Sequence, residues 1–462
     1  MADAPRPLSV TTPLGPDALQ PVAFGGTEAI SGLFRFELGA VAPNDRPVPF
    51  EALLGGRIDV QVVPPGAQSR LFSGICSRIS QGARDDRRTS YRLEVVPSLW
   101  LLTRKRGHRL FQDSSAPEVL ERVLVDANFE LRLPHPPREY VAQHRETDFE
   151  FANRLMEEEG IYYFFRHSSE GHELVLADSP EGHPELPAVQ FDPKAAPSTV
   201  FSWEKVQELT PGKVVLRDHD FTLPEPIVEG EATIQESATV GTVEHLLALP
   251  AVQKLELYDY PGAYAGRFDG VDDAGRAAAR RMESEAAASL LVAGESTAPA
   301  LAAGSRFALA GHGDADGEYM LTSVTHSARQ DDLRSGKLSY SNSFTCIPAS
   351  VPFRPPRRTP RPVVGGVQTA VVVGPPGETV STDELGRVKV RFHWDREGLS
   401  SAWIRVAQPH AGSSRLLWLP EAGDEVLVAF EDGDPSRPYV LGRLFNANDP
   451  PPEAEDREEE AE

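Results

Sequence analysis

The sequence is short of cysteine, of long apolar runs and of a basic start, and each shortage excludes a class of protein. Only Cys76 and Cys346 occur among 462 residues, which excludes a disulfide framework and makes a reducing compartment the expected setting. No apolar run approaches the roughly 20 residues that a membrane-spanning helix needs, so stable membrane insertion is not expected. The start, MADAPRPLSV, lacks a basic segment followed by an apolar one, so we expect no secretory signal.

The composition is that of a folded protein with an acidic surface. Hydrophobic residues make up 40% and charged residues 25% of the chain, and 462 residues are enough for two to four domains. The formal net charge of −23 repels phosphate backbones and anionic lipids, so nucleic acid is not an expected partner. Both cysteines lie in strand-like stretches, FSGICSRIS and SFTCIPA, and we expect them to be small buried side chains.

Most of the chain alternates apolar and polar residues with period two, which predicts strands. RLFSGICSRIS and TSYRLEVVP flank the polar stretch QGARDDRR, which predicts a hairpin with a long loop. A few segments have helical spacing instead. The pattern therefore predicts a mainly β protein with inserted helices, in the α+β class.

Three segments are predicted to be helices. SSAPEVLERVLVDANF begins with Ser115 as N-cap and Glu118 as its capping-box partner, and TDFEFANRLMEEEG repeats this arrangement with Thr147 and Glu150. Gly160 is expected to stop the second helix. The third, DDAGRAAARRMESEAAASLLVAG, is rich in alanine and is predicted to continue to Gly294.

The clearest domain boundary is VPFRPPRRTPRPVVGG, in which closely spaced prolines predict a stiff connector. Two interpretations are open for its basic part, residues 352–362: a solvated linker, which we favour, or a basic strap along an acidic neighbour. An all-β unit of short strands and polar turns follows, which suits a small barrel of the OB type. Its expected strands are TAVVVG, GRVKVRFHWD, AWIRVAQP, LLWLPE, DEVLVAFEDGD and PYVLGRLFN.

The stretch HGDADGE, with Asp314, Asp316 and Glu318, has some features of a calcium loop. An EF-hand loop needs ligands spread over twelve residues and flanking helices, whereas strands are predicted on both sides here. We therefore expect the tip of a hairpin and no bound calcium.

His393 and Asp395, in FHWDREG, lie on the same side of a predicted strand end, and His410 is the nearest further ligand by sequence. A metal site needs more converging ligands than these, so we expect a structural strand end. Neither a metal nor a cofactor is predicted.

Glu157, Glu158 and Glu159 form a run of carboxylates at a predicted helix end. Paired carboxylates perform glycoside hydrolysis, which leaves a carbohydrate-active enzyme as an alternative function. Consecutive residues on a helix point in different directions, so we expect these three to be solvent-exposed or part of an interface. No catalytic residue is predicted.

Long strings of the sequence resemble the VgrG family, the spike proteins of type VI secretion systems. The resemblance covers about residues 8–452 and includes REYVAQHRETDFEFANRLMEEEGIYYFFRH, SVPFRPPRRTPRPVVGGVQTAVVVGPPGE, TDELGRVKVRFHWDREG and LWLPEAGDEVLVAFEDGDPSRPYVLGRLFN. It implies a phage-tail-hub-like domain over residues 1–360, built from two similar β-barrels with helical insertions. It also implies an OB-fold barrel at the base of a spike over residues 361–450.

The resemblance further implies a homotrimer that caps the hexameric Hcp tube, contacts baseplate proteins and carries a PAAR-type tip or an effector. Such a protein assembles in the cytoplasm and is then translocated by sheath contraction, without a signal peptide. A related contractile injection system or a phage-like tail is the alternative setting. Residues 451–462 read PPEAEDREEEAE, where the family continues into a β-helical needle, so we expect an acidic, disordered tail and no needle in this sequence.

Overall fold

The chain is mainly β-structure with a few helices. A computed structural model describes residues 6–15, 18–263, 267–330, 337–376, 380–409 and 417–452, and no helix within them is long and apolar enough to cross a bilayer. The α-helices of these residues are α1 (Ala116–Val123), α2 (Asp148–Glu159) and α3 (Gly270–Ser289).

The strands are short to medium in length and run through the whole described chain. The first nine are β1 (Leu8–Thr11), β2 (Gln20–Ala29), β3 (Arg35–Pro43), β4 (Arg57–Val62), β5 (Arg70–Arg84), β6 (Arg88–Val96), β7 (Arg106–Ser114), β8 (Ala127–Glu130) and β9 (Arg138–Thr147). The next nine are β10 (Tyr162–Ser168), β11 (Gly171–Ala177), β12 (Val189–Phe191), β13 (Thr199–Gln207), β14 (Lys213–Asp218), β15 (Val228–Thr233), β16 (Ser237–Val240), β17 (Val243–Leu246) and β18 (Glu256–Asp259). The last nine are β19 (Leu290–Ser296), β20 (Arg306–Ala310), β21 (Gly317–Gln330), β22 (Leu338–Pro348), β23 (Gln368–Val373), β24 (Lys389–Phe392), β25 (Arg405–Val406), β26 (Glu425–Phe430) and β27 (Pro438–Leu444).

Twelve of these strands form one hydrogen-bonded sheet, in the order β1-β4-β5-β6-β3-β2-β21-β20-β12-β13-β19-β22. Strands β21 and β22 also pair with each other, so the last six strands close into a ring. We call β1 to β6 the first half and the six-stranded ring the second half. Antiparallel pairing of β2 with β21 joins the two. That the halves are similar barrels stays a prediction.

Each half has its own hydrophobic core, and the β10–β11 hairpin lies between the two cores. Alternate residues of a strand point to opposite faces. Accordingly, Tyr162 and Phe164 are in the core of the second half, whereas Tyr163 and Phe165 are in the core of the first. This double burial explains the uninterrupted aromatic run YYFF, since a strand covered on both faces has no polar side.

The predicted helix starts are confirmed, but two of the predicted helix ends are wrong. Both capping boxes are present, at Ser115 and at Thr147, and Gly160 ends α2 in the left-handed conformation with φ of 69°. Helix α1 ends at Val123, and the remainder of its predicted range contains strand β8, which pairs with β11. Helix α3 ends at Ser289, because the next residues pair with β13 as strand β19.

The hairpin predicted around QGARDDRR is confirmed, but its loop is shorter than expected. Arg84 on β5 is paired with Thr89 on β6, which leaves a tight turn at 85–87. The Asp85 carboxylate closes this turn by accepting hydrogen bonds from the backbone N–H groups of Arg87 and Arg88, at 2.7 and 2.6 Å. Polar residues of the predicted loop therefore belong to the extended strands.

The C-terminal unit is a five-stranded sheet in the order β24-β23-β26-β27-β25. The strand predicted at LLWLPE is wrong for its described part, because residues 417–420 form no strand. The Gln408 side chain takes the place of a neighbouring strand there. Its amide oxygen accepts from the Trp418 N–H and its amide nitrogen donates to the Trp418 carbonyl, both at 2.7 Å.

Candidate functional site

The two cysteines are buried, as predicted. Cys76 is 1% exposed and Cys346 is completely buried, and both are free thiols. Burial raises the pKa of Cys76 to about 11 and that of Cys346 well above its usual value. A thiol held in its neutral form is a weak nucleophile, so neither site is arranged for chemistry.

The stretch with Asp314 and Asp316 is a hairpin tip between β20 and β21, as predicted. Asp316 accepts a hydrogen bond from the His312 N–H at 2.8 Å, and Asp314 pairs with His312 and Lys205. The carboxylates thus stabilise the turn itself. Among the residues that the structure describes, no cluster of three or more His, Cys, Asp or Glu is placed to hold a metal ion.

Trp394 lies between His393 and Asp395 in the chain, and its side chain packs against the core of the C-terminal unit at this strand end. The indole lies flat against Phe392 with ring centroids 5.1 Å apart and donates to Gln368. The His393 side chain is 56% exposed, and Asp395 accepts a turn hydrogen bond from the Glu397 N–H. The third candidate, His410, lies outside the described residues.

Of the two alternatives expected for Glu157, Glu158 and Glu159, solvent exposure is wrong, and a place in an interface between parts of the chain agrees with the structure. All three are buried, with at most 8% of each residue exposed. They lie at the end of α2, where it meets the loop before β9, helix α3 and the proline-rich connector. Buried carboxylates require compensating charges or donors, and each of these has them.

Arginines compensate Glu158 and Glu159. Arg138 bonds to both carboxylates, and Arg280 on α3 donates to Glu159 at 2.7 Å. The His135 imidazole bridges Glu159 and Asp178, at 2.9 and 3.0 Å. Burial alone would raise the pKa of Glu159, but Arg138, His135 and Arg280 outweigh it and hold the pKa below its usual range. A carboxyl that stays charged and fully paired is not a general acid.

Glu157 binds the connector directly. Its carboxylate accepts hydrogen bonds from the backbone N–H groups of Arg358 and Thr359, both at 3.0 Å, and from the Thr359 hydroxyl at 2.9 Å. Asn153, one turn earlier on α2, donates to both Glu157 and Thr359. Burial is the dominant influence on Glu157 and raises its pKa.

Residues 351–366, which we call the strap, are therefore held against the acidic end of α2. This overturns the favoured interpretation of a solvated linker and agrees with the alternative of a basic strap. Arg354 is only 7% exposed, donates to the backbone carbonyls of Gly160 and Asp178, and pairs with Glu283 at 2.6 Å. The helix end supplies carbonyl oxygens and carboxylates, which attract a basic segment.

A second set of buried charges fixes the C-terminal barrel on the preceding domain. Arg437, after β26, forms two hydrogen bonds to the Asp218 carboxylate, at 2.8 and 2.6 Å. Beside it, the Ser436 hydroxyl accepts from the Ala142 N–H at 3.1 Å. Tyr140 and Ala142 of β9 belong to the hydrophobic core of the barrel itself. The strap and this contact together fix how the two domains sit relative to each other.

Comparison with known proteins matches this two-part architecture. The phage tail baseplate hub (GPD) family covers residues 27–332, and the type VI secretion system/phage-baseplate injector OB domain covers residues 369–445. The type VI secretion system spike protein VgrG1a of Pseudomonas aeruginosa is 38% identical over 96% of this chain and 70% of its own length. VgrG1c of the same organism is 37% identical over 96% of this chain and 62% of its own length. The chain belongs to the VgrG family.

Solved structures show the same fold at low sequence identity. The E. coli c3393 protein, described as a component of the type VI secretion system similar to the phage T4 tail proteins gp27 and gp5, is 21% identical with a TM-score of 0.66, and the match covers 94% of this chain and all of that one. The half-lidded Francisella PdpA-VgrG complex is 9% identical with a TM-score of 0.62, over 97% of this chain and 79% of that one. This VgrG chain therefore combines a phage-hub-like fold with an OB-fold barrel.

The chain spans only about 60 to 70% of the length of the curated VgrG relatives that it matches first. Within the described part, the buried strap contacts fall between the two family matches, at the passage from hub to OB barrel. Sequence reasoning missed His135 and Asp178, which complete this site. Little in the sequence indicates a role for either residue. Asp178 directly follows a strand, as many surface aspartates do, and His135 is flanked by prolines in LPHPPRE.

One shallow concavity of about 460 Å³ lies on the outer surface of the second half, away from the strap. It is lined mainly by small polar side chains of β13, β19, β21 and β22, and none of the three glutamates faces it. The acidic cluster of this VgrG hub is thus used for internal pairing.

Proposed function

We propose that this VgrG chain forms a trimeric spike base that caps the Hcp tube and carries a tip or effector protein out of the cell. The observation that carries the proposal is the rigid junction. A part that transmits a push must keep its domains in fixed orientation. Here the buried Arg437–Asp218 ion pair joins the OB barrel to the hub, and the strap between the two domains is held on the hub by Glu157 and by the mostly buried Arg354. Baseplate proteins and a PAAR-type tip are the further partners, and sheath contraction drives the export.

Each domain has its own role in the proposed spike base. The hub, residues 1–360, would contact the tube, and the OB barrel, residues 361–450, would start the spike. If the two halves of the hub are similar, three subunits present six similar faces to a sixfold tube, which removes the symmetry mismatch. The acidic stretch 453–462 lies outside the described residues.

Exposed apolar side chains on the OB barrel support the trimer. Leu385 and Phe445 are each 57% exposed, Leu417 is 66% exposed, and Leu399 and Leu444 are also exposed. Exposed apolar side chains that adjoin one another, as Leu444 and Phe445 do in the chain, mark a surface that another protein covers. In the proposed spike, that protein is a second copy of the chain.

The trimer can be tested by changing two of these side chains together. We expect native mass spectrometry of the intact chain to show three copies, and the double substitution Leu444→Ser with Phe445→Ser to weaken the trimer at least tenfold, because buried apolar anchors dominate interface energies. Val125→Ser, at a hub position that is 79% exposed, is the matched control and should leave assembly unchanged. A monomer at micromolar concentration in the unaltered chain would refute the assignment.

The carbohydrate-active alternative makes a different prediction for Glu158. Because its carboxylate pairs with Arg138, we expect Glu158→Gln to lower the free energy of unfolding by about 1–3 kcal/mol and to change no catalytic rate. Urea unfolding and a screen of polysaccharide hydrolysis by the unaltered and substituted chains measure both effects. Hydrolysis that disappears with this substitution would favour the enzyme over the structural part.

A further inference from the structure

A buried cluster of titratable side chains lies where the two halves of the hub meet, and the proposed function does not use it. Glu28 lies on β2 of the first half, and its carboxylate accepts from His326 Nε2 of β21, in the second half, at 2.9 Å. Arg70 of β5 bonds to the same carboxylate and also donates to the backbone carbonyls of Pro299 and Leu301. The cluster therefore ties the halves together at two points.

Further groups face these residues from the neighbouring strands. His167 of β10 has Nδ1 at 3.1 Å from the Ser73 N–H and Nε2 at 3.9 Å from Glu28 Oε2. His172 of β11 acts electrostatically on His167, and Arg57 and Asp59 of β4 act in turn on His172. From β22, Tyr340 Oη lies 2.8 Å from His326 Nδ1.

Almost no solvent reaches this cluster. The His326 side chain is fully buried, and those of His167 and Glu28 are each 4% exposed. With both imidazoles neutral, the negative charge of Glu28 and the positive charge of Arg70 cancel. Protonation of one imidazole adds an uncompensated positive charge to a sealed site, and protonation of both adds two.

The hydrogen bonds of His326 also favour its neutral form. Because Nε2 donates to Glu28, Nδ1 must accept the Tyr340 hydroxyl proton. Tyr340 Oη in turn accepts from Asn342, whose side chain also donates to the Ala298 carbonyl in the second half. A proton on Nδ1 would leave the Tyr340 hydroxyl proton without its acceptor and disturb this chain of hydrogen bonds.

We propose that the Glu28–Arg70–His326–His167 cluster is a proton-operated lock that holds the two halves of the hub together near neutral pH and loosens in mild acid. Burial lowers the pKa of His326, and Arg70 lowers it further. Burial likewise lowers the pKa of His167 to about 3. Burial would raise the pKa of Glu28, but Arg70 and His326 outweigh it and lower the pKa to about 2, so the carboxylate stays charged.

The direction of the pH effect follows from these shifts. A histidine whose pKa is lower in the closed than in the open state stabilises the closed state fully above about pH 6.5, the ordinary histidine value. As the pH falls below that value, the imidazole becomes protonated in the open state but stays neutral in the closed state. Well below pH 6.5 the ratio of open to closed hub should then rise roughly tenfold per pH unit for each histidine, which amounts to about 30-fold for one histidine between pH 7.5 and 5.0.

Cys76 lies in the core of the first half and Cys346 in that of the second, so their labelling reports opening that reaches these cores. The experiment follows their labelling in the intact chain by 4,4′-dithiodipyridine between pH 7.5 and 5.0, relative to the urea-unfolded chain at each pH. We expect labelling of the unaltered chain to accelerate about 30-fold or more between pH 7.5 and 5.0. His326→Gln keeps a donor for Glu28 and an acceptor for Tyr340 but cannot titrate. Below pH 6.5 its labelling rate should therefore rise with a slope that is smaller by a factor of about ten per pH unit than that of the unaltered chain.

His393→Gln is the matched control, because it makes the same change at a side chain that is 56% exposed, and it should keep the full pH dependence. If His326→Gln does not fold, His167→Gln carries the same test. If neither folds, histidine-selective NMR on the unaltered chain decides between the outcomes. Imidazoles that stay neutral until labelling accelerates would support the lock. Unchanged pH dependence in a folded variant, or titration of both buried imidazoles near pH 6.5 without faster labelling, would overturn it.

Discussion

Replacing Arg437 with methionine should lower the free energy of unfolding by about 3–5 kcal/mol, because it leaves the Asp218 carboxylate buried without its partner. The two side chains are only 3% and 1% exposed and meet through two hydrogen bonds. Urea unfolding followed by tryptophan fluorescence measures the loss. We expect the OB barrel to detach from the hub before either domain unfolds, because this pair crosses their contact.

The double substitution Asp218→Leu with Arg437→Met separates the charge effect from a packing effect. It removes both charges, so it should recover most of the stability that Arg437→Met alone loses. As a control, Arg92→Met breaks the pair with Glu37, whose side chains are 70% and 62% exposed, and should cost less than about 1 kcal/mol. A double variant as unstable as the single one would mean that Arg437 acts through packing and not through Asp218.

The helix starts could be predicted from sequence because everything that defines them lies within four residues. Ser115 and Glu118 exchange both capping-box hydrogen bonds, and so do Thr147 and Glu150. The ends of α1 and α3 depend on strands that are distant in the chain. Residues 290–296 have helical composition but pair with residues 200–207 and 342–346, and such pairing outweighs a local propensity of a few tenths of a kcal/mol per residue.

The site was harder to predict for the same reason. A run of three glutamates on a helix is normally solvated, and nothing nearby in the sequence indicates otherwise. The groups that bury these carboxylates come from Arg138, Arg280 and the strap around Arg358, which lie 20 to more than 200 residues away. The strap's arginines and prolines did suggest an acidic neighbour, but not which one. Only the burial of Glu157 and Arg354 in the folded chain shows that the strap lies against the end of α2.

Replacing Glu157 with alanine should make the strap at least tenfold easier to cut with trypsin. Trypsin cleaves after arginine except before proline, so its sites in RPPRRTPR are the bonds that follow Arg357 and Arg358. The nitrogens of those two bonds belong to Arg358 and Thr359, the N–H groups that the Glu157 carboxylate holds at 3.0 Å. Loss of about 1.5–3 kcal/mol of charge-assisted hydrogen bonding raises the open fraction of the strap by roughly 10- to 150-fold, and cleavage follows that fraction when opening is rapid.

Two further variants show whether the carboxylate itself protects these bonds. Glu157→Gln keeps one carbonyl oxygen as an acceptor, so its cleavage rate should fall between those of the unaltered chain and Glu157→Ala. Glu121→Ala, on the exposed surface of α1, should be cut no faster than the unaltered chain. Mass spectrometry of the products identifies the cut, which must separate the hub from the OB barrel. If Glu157→Ala is cut first elsewhere, or at the unaltered rate, then the buried Arg354 and Pro355 hold the strap without Glu157. In that case the acidic end of α2 would stabilise the hub alone, and the fixed orientation of the OB barrel would depend on Arg437 and Asp218.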